Sequence, residues 1–210
     1  METQEKCLIE KTKRTRVKGL GPRRTEMVTF AKIGDVDLAL LDQLRSILVR
    51  NPQNDLGGDG YNISQQCDLE GVFNAAGSYR QVLIQKSIHN HDTASEFDYT
   101  NYVEPVEIPW FEKIYRLRLS HMGPGHTINW HIDTDTSVMC RAQICLNEND
   151  SVFKFKTKNG IEEFNMKPGE MWFINTGWPH SVEGGEKERS VAIFGFEYKD
   201  YHGTVNLLRS

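Results

Sequence analysis

Apolar positions follow two rhythms along this 210-residue chain. In residues 35–50, Leu38, Leu41, Leu44, Ile47 and Leu48 recur at three- and four-residue intervals, and Asn51-Pro52 stops the run. That spacing predicts one N-terminal helix. Residues 51–79 are rich in Gly, Asn, Asp and Ser and read as a long irregular loop, 81–88 as a strand, and 90–101 as polar again. Beyond Trp110 the rhythm shortens to β segments at about 114–122, 127–133, 138–146, 152–157, 161–166, 171–175, 181–183 and 190–198. Gly123-Pro124-Gly125, residues 147–150, Asn159-Gly160, Lys167-Pro168-Gly169 and Gly184-Gly185 punctuate them. Asn-Gly between two alternating runs marks residues 152–166 as a hairpin. Eight short strands at this spacing predict a mainly β protein, a barrel or a double-sheet jelly roll of the cupin kind, carrying the N-terminal helix.

Two of these segments have faces of opposite character. Arg116, Arg118 and Ser120 alternate with Tyr115, Leu117 and Leu119, and Arg141, Gln143 and Cys145 alternate with Ala142, Ile144 and Leu146. Each polar face is either a solvent face or the lining of an interior, and an interior guanidinium needs an anion because a buried unpaired cation is costly. A dicarboxylate cosubstrate would supply one.

Composition narrows the class. The aromatic content of 10% argues against a wholly disordered chain. The longest purely aliphatic run, Leu38 to Leu41, is four residues, and the charged first ten residues lack an apolar signal core. Together these predict no membrane span and a cytoplasmic protein. Cys7, Cys67, Cys140 and Cys145 have no CxxC spacing and read as reduced thiols. Net charge is −4, but residues 1–26 hold eight Lys/Arg against four Glu, so a basic arm precedes a domain at 27–210 whose catalytic β core spans about 112–198. No Phe, Tyr or Trp is interleaved in that arm for base stacking, so a solvated arm is favoured over a nucleic-acid contact.

Among seven histidines, His131 and Asp133 stand two apart on a predicted strand, where both side chains point to one face. His180, after a later strand, would complete a two-His, one-carboxylate set, which leaves three positions of an octahedral Fe(II) open. The alternative is hydrogen-bonded structural histidines. His89 and His91 also share a face but have no following ligand in a matching context; His121 and His126 flank a turn, and His202 lies far downstream. Trp130, Trp172 and Trp178 read either as pocket walls or as core.

Arg118-Leu-Ser120, Pro124-Gly125, Ile128, His131-x-Asp133, Arg141, Phe164-x-Met166-x-x-Gly169-Glu170-x-Trp172-Phe173, Trp178-Pro179-His180-Ser181 and Arg189, taken in order, resemble the aspartyl/asparaginyl β-hydroxylase family, most of all its bacterial L-proline cis-4-hydroxylase branch. The resemblance covers residues 114–197. It implies a double-stranded β-helix using Fe(II) and 2-oxoglutarate, with iron on His131, Asp133 and His180. It also implies Arg189 on the distal carboxylate of 2-oxoglutarate, Ser120 assisting, and Arg141 at the end nearer the metal. Gln143 stands where the family usually has His, keeping the hydrogen bonding without the capacity to become cationic. The expected activity is hydroxylation of an amino-acid side chain, in a free amino acid such as proline or in a peptide, consuming dioxygen and releasing succinate and CO2. Arg116 or Arg118 would hold a substrate carboxylate and Trp178 would line the pocket. Two other readings stand beside it: a cupin-like metal-dependent isomerase or lyase, and a non-enzymatic binding module.

Overall fold

The structure, a computed structural model, describes residues 22–50, 79–87, 97–99, 105–133 and 140–209. The expectations for the arm before residue 22, the 51–78 loop, Cys7, Cys67, His89 and His91 lie outside the described residues. The chain runs β1 (Phe30–Asp35), α1 (Leu38–Arg50), β2 (Tyr79–Leu83), β3 (Gln85–Ser87), β4 (Phe97–Tyr99), β5 (Tyr115–Met122), β6 (Ile128–His131), β7 (Cys140–Cys145), β8 (Val152–Thr157), β9 (Gly160–Phe164), β10 (Glu170–Ile174), β11 (His180–Glu183) and β12 (Arg189–Phe196). All eight segments expected beyond Trp110 are strands.

Two antiparallel sheets face each other, ordered β1-β10-β7-β12-β5-β2 and β6-β11-β8-β9, with β3 and β4 paired apart. This is a double-stranded β-helix, the jelly roll that the strand spacing predicts. The strand expected over 81–88 breaks at buried Ile84, where the chain leaves β5 and pairs with β4 instead. The expected 152–166 hairpin forms as β8 and β9, and Gly160 takes φ +116° after the Lys158-Asn159 connection, a conformation that favours glycine.

The helix begins later than residue 35 because Phe30–Asp35 is already committed to pairing with β10. Asp37 caps it, its Oδ1 accepting from the Leu40 N–H at 2.8 Å. Leu40, Leu41, Leu44, Ile47 and Leu48 are buried against the six-stranded sheet, in one core with Leu117, Leu119, Ala142, Ile144, Phe173, Ala192 and Phe194. The apolar faces of β5, β7, β10 and β12 thus turn toward the helix.

Their other faces meet the four-stranded sheet. Met122 and Cys145 pack with Phe153, Phe155 and Val182. Because side chains alternate along a strand, Arg118 and Ser120 share the face of Met122, and Arg141 and Gln143 share that of Cys145. All four are buried, so these polar faces are interior rather than solvent faces. Arg116 leaves the pattern. The β5–β12 register shifts between Ile193↔Arg118 and Gly195↔Tyr115, and Arg116 sits in the bulge at φ +54°. The alternation that would group Arg116 with Arg118 and Ser120 is therefore interrupted, and Tyr115 comes opposite Gly195 with its hydroxyl donating to Glu197 Oε1 at 3.2 Å.

Candidate active site

His131 closes β6 and His180 opens β11, and the two are cross-strand partners. Their ring centroids are 4.3 Å apart. Asp133 follows two residues after His131, and one ligand atom from each of the three lies within 4.8 Å of the others. Each ring is oriented from behind: His131 Nδ1 donates to the Asn129 carbonyl at 2.7 Å and His180 Nδ1 to that of Trp178 at 2.9 Å. A carbonyl only accepts, so Nδ1 carries a proton and Nε2 is the nitrogen each ring would turn to a metal. His131 Nε2 stands 3.2 Å from Asp133 Oδ1, a contact that requires a cation, proton or metal, between the two. Burial opposes ionisation of Asp133, but the hydrogen bond and charge of His131, with the charges of His180 and Arg141, outweigh it and hold the carboxyl well below the usual range. A metal in place of those histidine protons would leave two neutral imidazoles and a carboxylate on one side of a point, a set that fits a divalent transition ion with open positions opposite.

The facing sheet supplies the cations. Arg189, at the start of β12, donates from Nη2 to Gln143 Oε1 at 2.7 Å and approaches Met122 Sδ at 3.7 Å, with its guanidinium 4.9 Å over the Phe153 ring. Arg118 is only 7% exposed, and its Nε and Nη1 have no hydrogen-bond partner among the described residues. Ser120 is buried one step along the same face, and Arg141 lies close enough for its charge to act on Asp133.

Trp178 is engaged elsewhere. Its indole N–H donates to the Arg24 carbonyl at 3.2 Å, and the guanidinium groups of Arg24 and Arg209 lie 5.7 and 5.5 Å from its ring centroid. Trp130 carries the Lys156 ammonium 4.4 Å over its ring. Trp172 packs at a tilt against Phe164, centroids 4.7 Å apart, and donates to Glu170. The other histidines have separate surroundings: His121 Nδ1 lies 2.9 Å from Ser190 Oγ, His202 lies 3.7 Å from Glu112, and His126 is buried at the turn before β6. Sequence reasoning places a short turn between the 171–175 strand and His180 but missed what its carbonyls do. The Thr176 carbonyl accepts from the Asp133 backbone N–H at 3.1 Å, and the Trp178 carbonyl orients His180. Main-chain carbonyls leave no residue-type signal to read.

No family model matches the sequence, and no curated protein matches it. Solved structures do. An oxidoreductase of the 2OG-Fe(II) oxygenase family from Burkholderia pseudomallei aligns over 84% of this chain and 86% of its own, with TM-score 0.54 and 11% identity. A prolyl hydroxylase from Trichoplax adhaerens, in complex with a hypoxia inducible factor oxygen degradation domain peptide fragment, aligns over 82% and 85%, with TM-score 0.53 and 10% identity. A Pseudomonas putida prolyl-4-hydroxylase aligns over 80% and 92%, with TM-score 0.51 and 12% identity. At such identities the likeness is one of fold, a jelly roll shared with these oxygenases.

Proposed function

We propose that this chain is an Fe(II)- and 2-oxoglutarate-dependent dioxygenase that hydroxylates an amino-acid side chain, free or peptidyl. The observation that carries the reading is the pairing, across one inter-sheet space, of two imidazoles and a carboxylate on one sheet with buried arginines on the other. Fe(II) bound by His131, Asp133 and His180 would supply oxygen activation coupled to oxidative decarboxylation of 2-oxoglutarate to succinate and CO2, with the second oxygen atom entering the substrate as hydroxyl.

The chain's own task is placement. Arg189 lies over Phe153 while His180 stacks against Phe155, centroids 5.8 Å apart. Phe153 and Phe155 are two residues apart on β8, so the guanidinium and the metal ligand are offset along the strand by about 7 Å. That offset is comparable with the length of a five-carbon diacid. Arg189 then grips the distal carboxylate, with Gln143 fixing one arm of its fork and Ser120 beside it. Arg141 serves the end nearer the metal. Arg118, buried with two unpartnered donors, is the anchor for a substrate carboxylate; Arg116, in the bulge, is the weaker candidate. Placement within the aspartyl/asparaginyl β-hydroxylase-like branch is part of the proposal and rests on the sequence motifs alone.

The test is anaerobic loading with Fe(II) and 2-oxoglutarate, then oxygen, across a panel of free amino acids and short peptides, read as succinate release and product mass. Succinate formed in step with a mass gain of one oxygen is expected. Absence of 2-oxoglutarate binding, and of succinate with every substrate, would overturn the proposal.

A further inference from the structure

The turn at 175–178 carries two of the three ligand residues. Asp133 hangs from it through the Thr176 carbonyl and His180 through that of Trp178. Its far side is gripped by a segment about 150 positions earlier. The Asn175 backbone N–H donates to the Thr29 carbonyl at 2.8 Å, and its buried side-chain amide donates to the carbonyls of Arg24 and Val28, both at 3.0 Å. The Trp178 indole donates to the same Arg24 carbonyl, and Arg24 Nη1 reaches back to the Gly177 carbonyl. Arg209 locks that segment from outside. Its backbone N–H donates to Glu26 at 2.9 Å, its Nε donates to the Met27 carbonyl at 2.8 Å, and its guanidinium covers the Trp178 ring.

We infer that residues 24–29 and Arg209 form a clasp that sets the geometry of the metal site through this turn, with Arg24, Asn175, Trp178 and Arg209 as positioning residues. None of the four is a ligand. An imidazole's direction is fixed by the carbonyl its other nitrogen meets, so a carbonyl that shifts carries the ligand's lone pair with it. The sequence distance is the notable part, since two chain segments far from the triad in sequence converge on the ring whose backbone aims His180. The inference rests on the proposal that the triad holds a divalent metal.

The test is equilibrium titration of the metal-free protein with Co(II), read by its d–d absorption, together with the metal-free melting temperature. Trp178→Phe keeps an aromatic ring beside the two guanidiniums but removes the indole donor, and Arg209→Ala removes the outer lock. Each is expected to weaken Co(II) binding by about tenfold or more and to alter the d–d band. Arg209→Lys, which restores a donor and a cation, recovers most of the affinity. Leu44→Ala is the control. It opens the helix-side core and lowers the melting temperature, and it leaves Co(II) affinity at the wild-type value. Unchanged affinity in both clasp variants, or an equal loss in Leu44→Ala, overturns the clasp while leaving the metal site standing. Failure of the wild type to bind Co(II) overturns the metal site, and the clasp with it.

Discussion

At the scale of single residues, function depends on which nitrogen or oxygen is left free. His131 and His180 each spend Nδ1 on a carbonyl and offer Nε2. His131→Ala or His180→Ala is therefore expected to abolish metal uptake and turnover with the circular dichroism of the fold retained; activity persisting in both variants would remove the triad. Arg189 is a separate matter, because the proposed function puts it at the end of the cosubstrate distant from the metal. Arg189→Ala should raise the 2-oxoglutarate concentration required on the order of a hundredfold, the worth of a charge-assisted contact to a buried carboxylate, with little change in metal affinity. A titration of both ligands on one variant checks the split. Arg118→Met should weaken substrate binding and spare uncoupled 2-oxoglutarate decarboxylation, measured as substrate-dependent against substrate-independent succinate. Sequence could suggest the triad because His131 and Asp133 stand two apart on a predicted strand and so announce a shared face, although β6 ends at His131 and Asp133 follows it, held by the Thr176 carbonyl. It could not reveal what Trp178 does, since its indole partner, Arg24, lies 154 positions away and contributes a main-chain oxygen.

Elements decide which of those residues meet. Alternation along β5 and β7 was readable in sequence, but which face turned inward was not, because a row of arginines suits solvent as well as an anion-binding interior. Packing resolves it: the helix covers the aliphatic faces and leaves Arg118, Arg141 and Gln143 between the sheets. The bulge at Arg116 was also invisible, since no glycine marks its positive φ. The edge strand β1 lacks a clean alternation and becomes legible only through its partner β10. Glu170 holds those two strands together. Its Oε1 lies 3.0 Å from Lys32 Nζ, and its Oε2 accepts from the Lys167 N–H at 2.9 Å and the Trp172 indole at 3.0 Å. Burial opposes its ionisation, but those donors outweigh it and keep its pKa below the usual carboxylate value. A carboxyl depressed in the folded state stabilises the fold above its unfolded pKa and ceases to do so as pH falls through the folded value. Glu170→Gln should therefore cost about 1–2 kcal/mol at pH 7, with the gap to wild type narrowing below about pH 4. Urea unfolding at pH 7 and pH 3 tests this, and a gap that is constant with pH would show that the carboxylate charge contributes nothing.

Across the whole molecule, the two sheets are not equally secured. The six-stranded sheet is backed by α1 and its leucines, and among the described residues no helix is long and apolar enough to cross a membrane. The four-stranded sheet is joined to it by an aromatic cluster, where Phe30 stacks on Phe164 with centroids 4.4 Å apart and Phe153 on Phe164 at 5.2 Å. Among the described residues, edge strand β6 pairs within its sheet only with β11, through a short ladder interrupted between His180 and Val182. A metal on His131, Asp133 and His180 would bridge that ladder at its open end and join β6 to β11 more firmly than the hydrogen bonds alone. Because the ligand set is complete only when both strands are in place, the ion favours the folded state over the unfolded one. A metal concentration about 100-fold above its dissociation constant then adds about 2.7 kcal/mol. For a chain of this length that is a rise in melting temperature of about 5–10 °C. The rise is expected with Fe(II) or Co(II) under anaerobic conditions, should be reversed by a chelator, and should vanish in His180→Ala. An equal rise in that variant would place the stabilising ion elsewhere on the molecule and separate thermal protection from the triad.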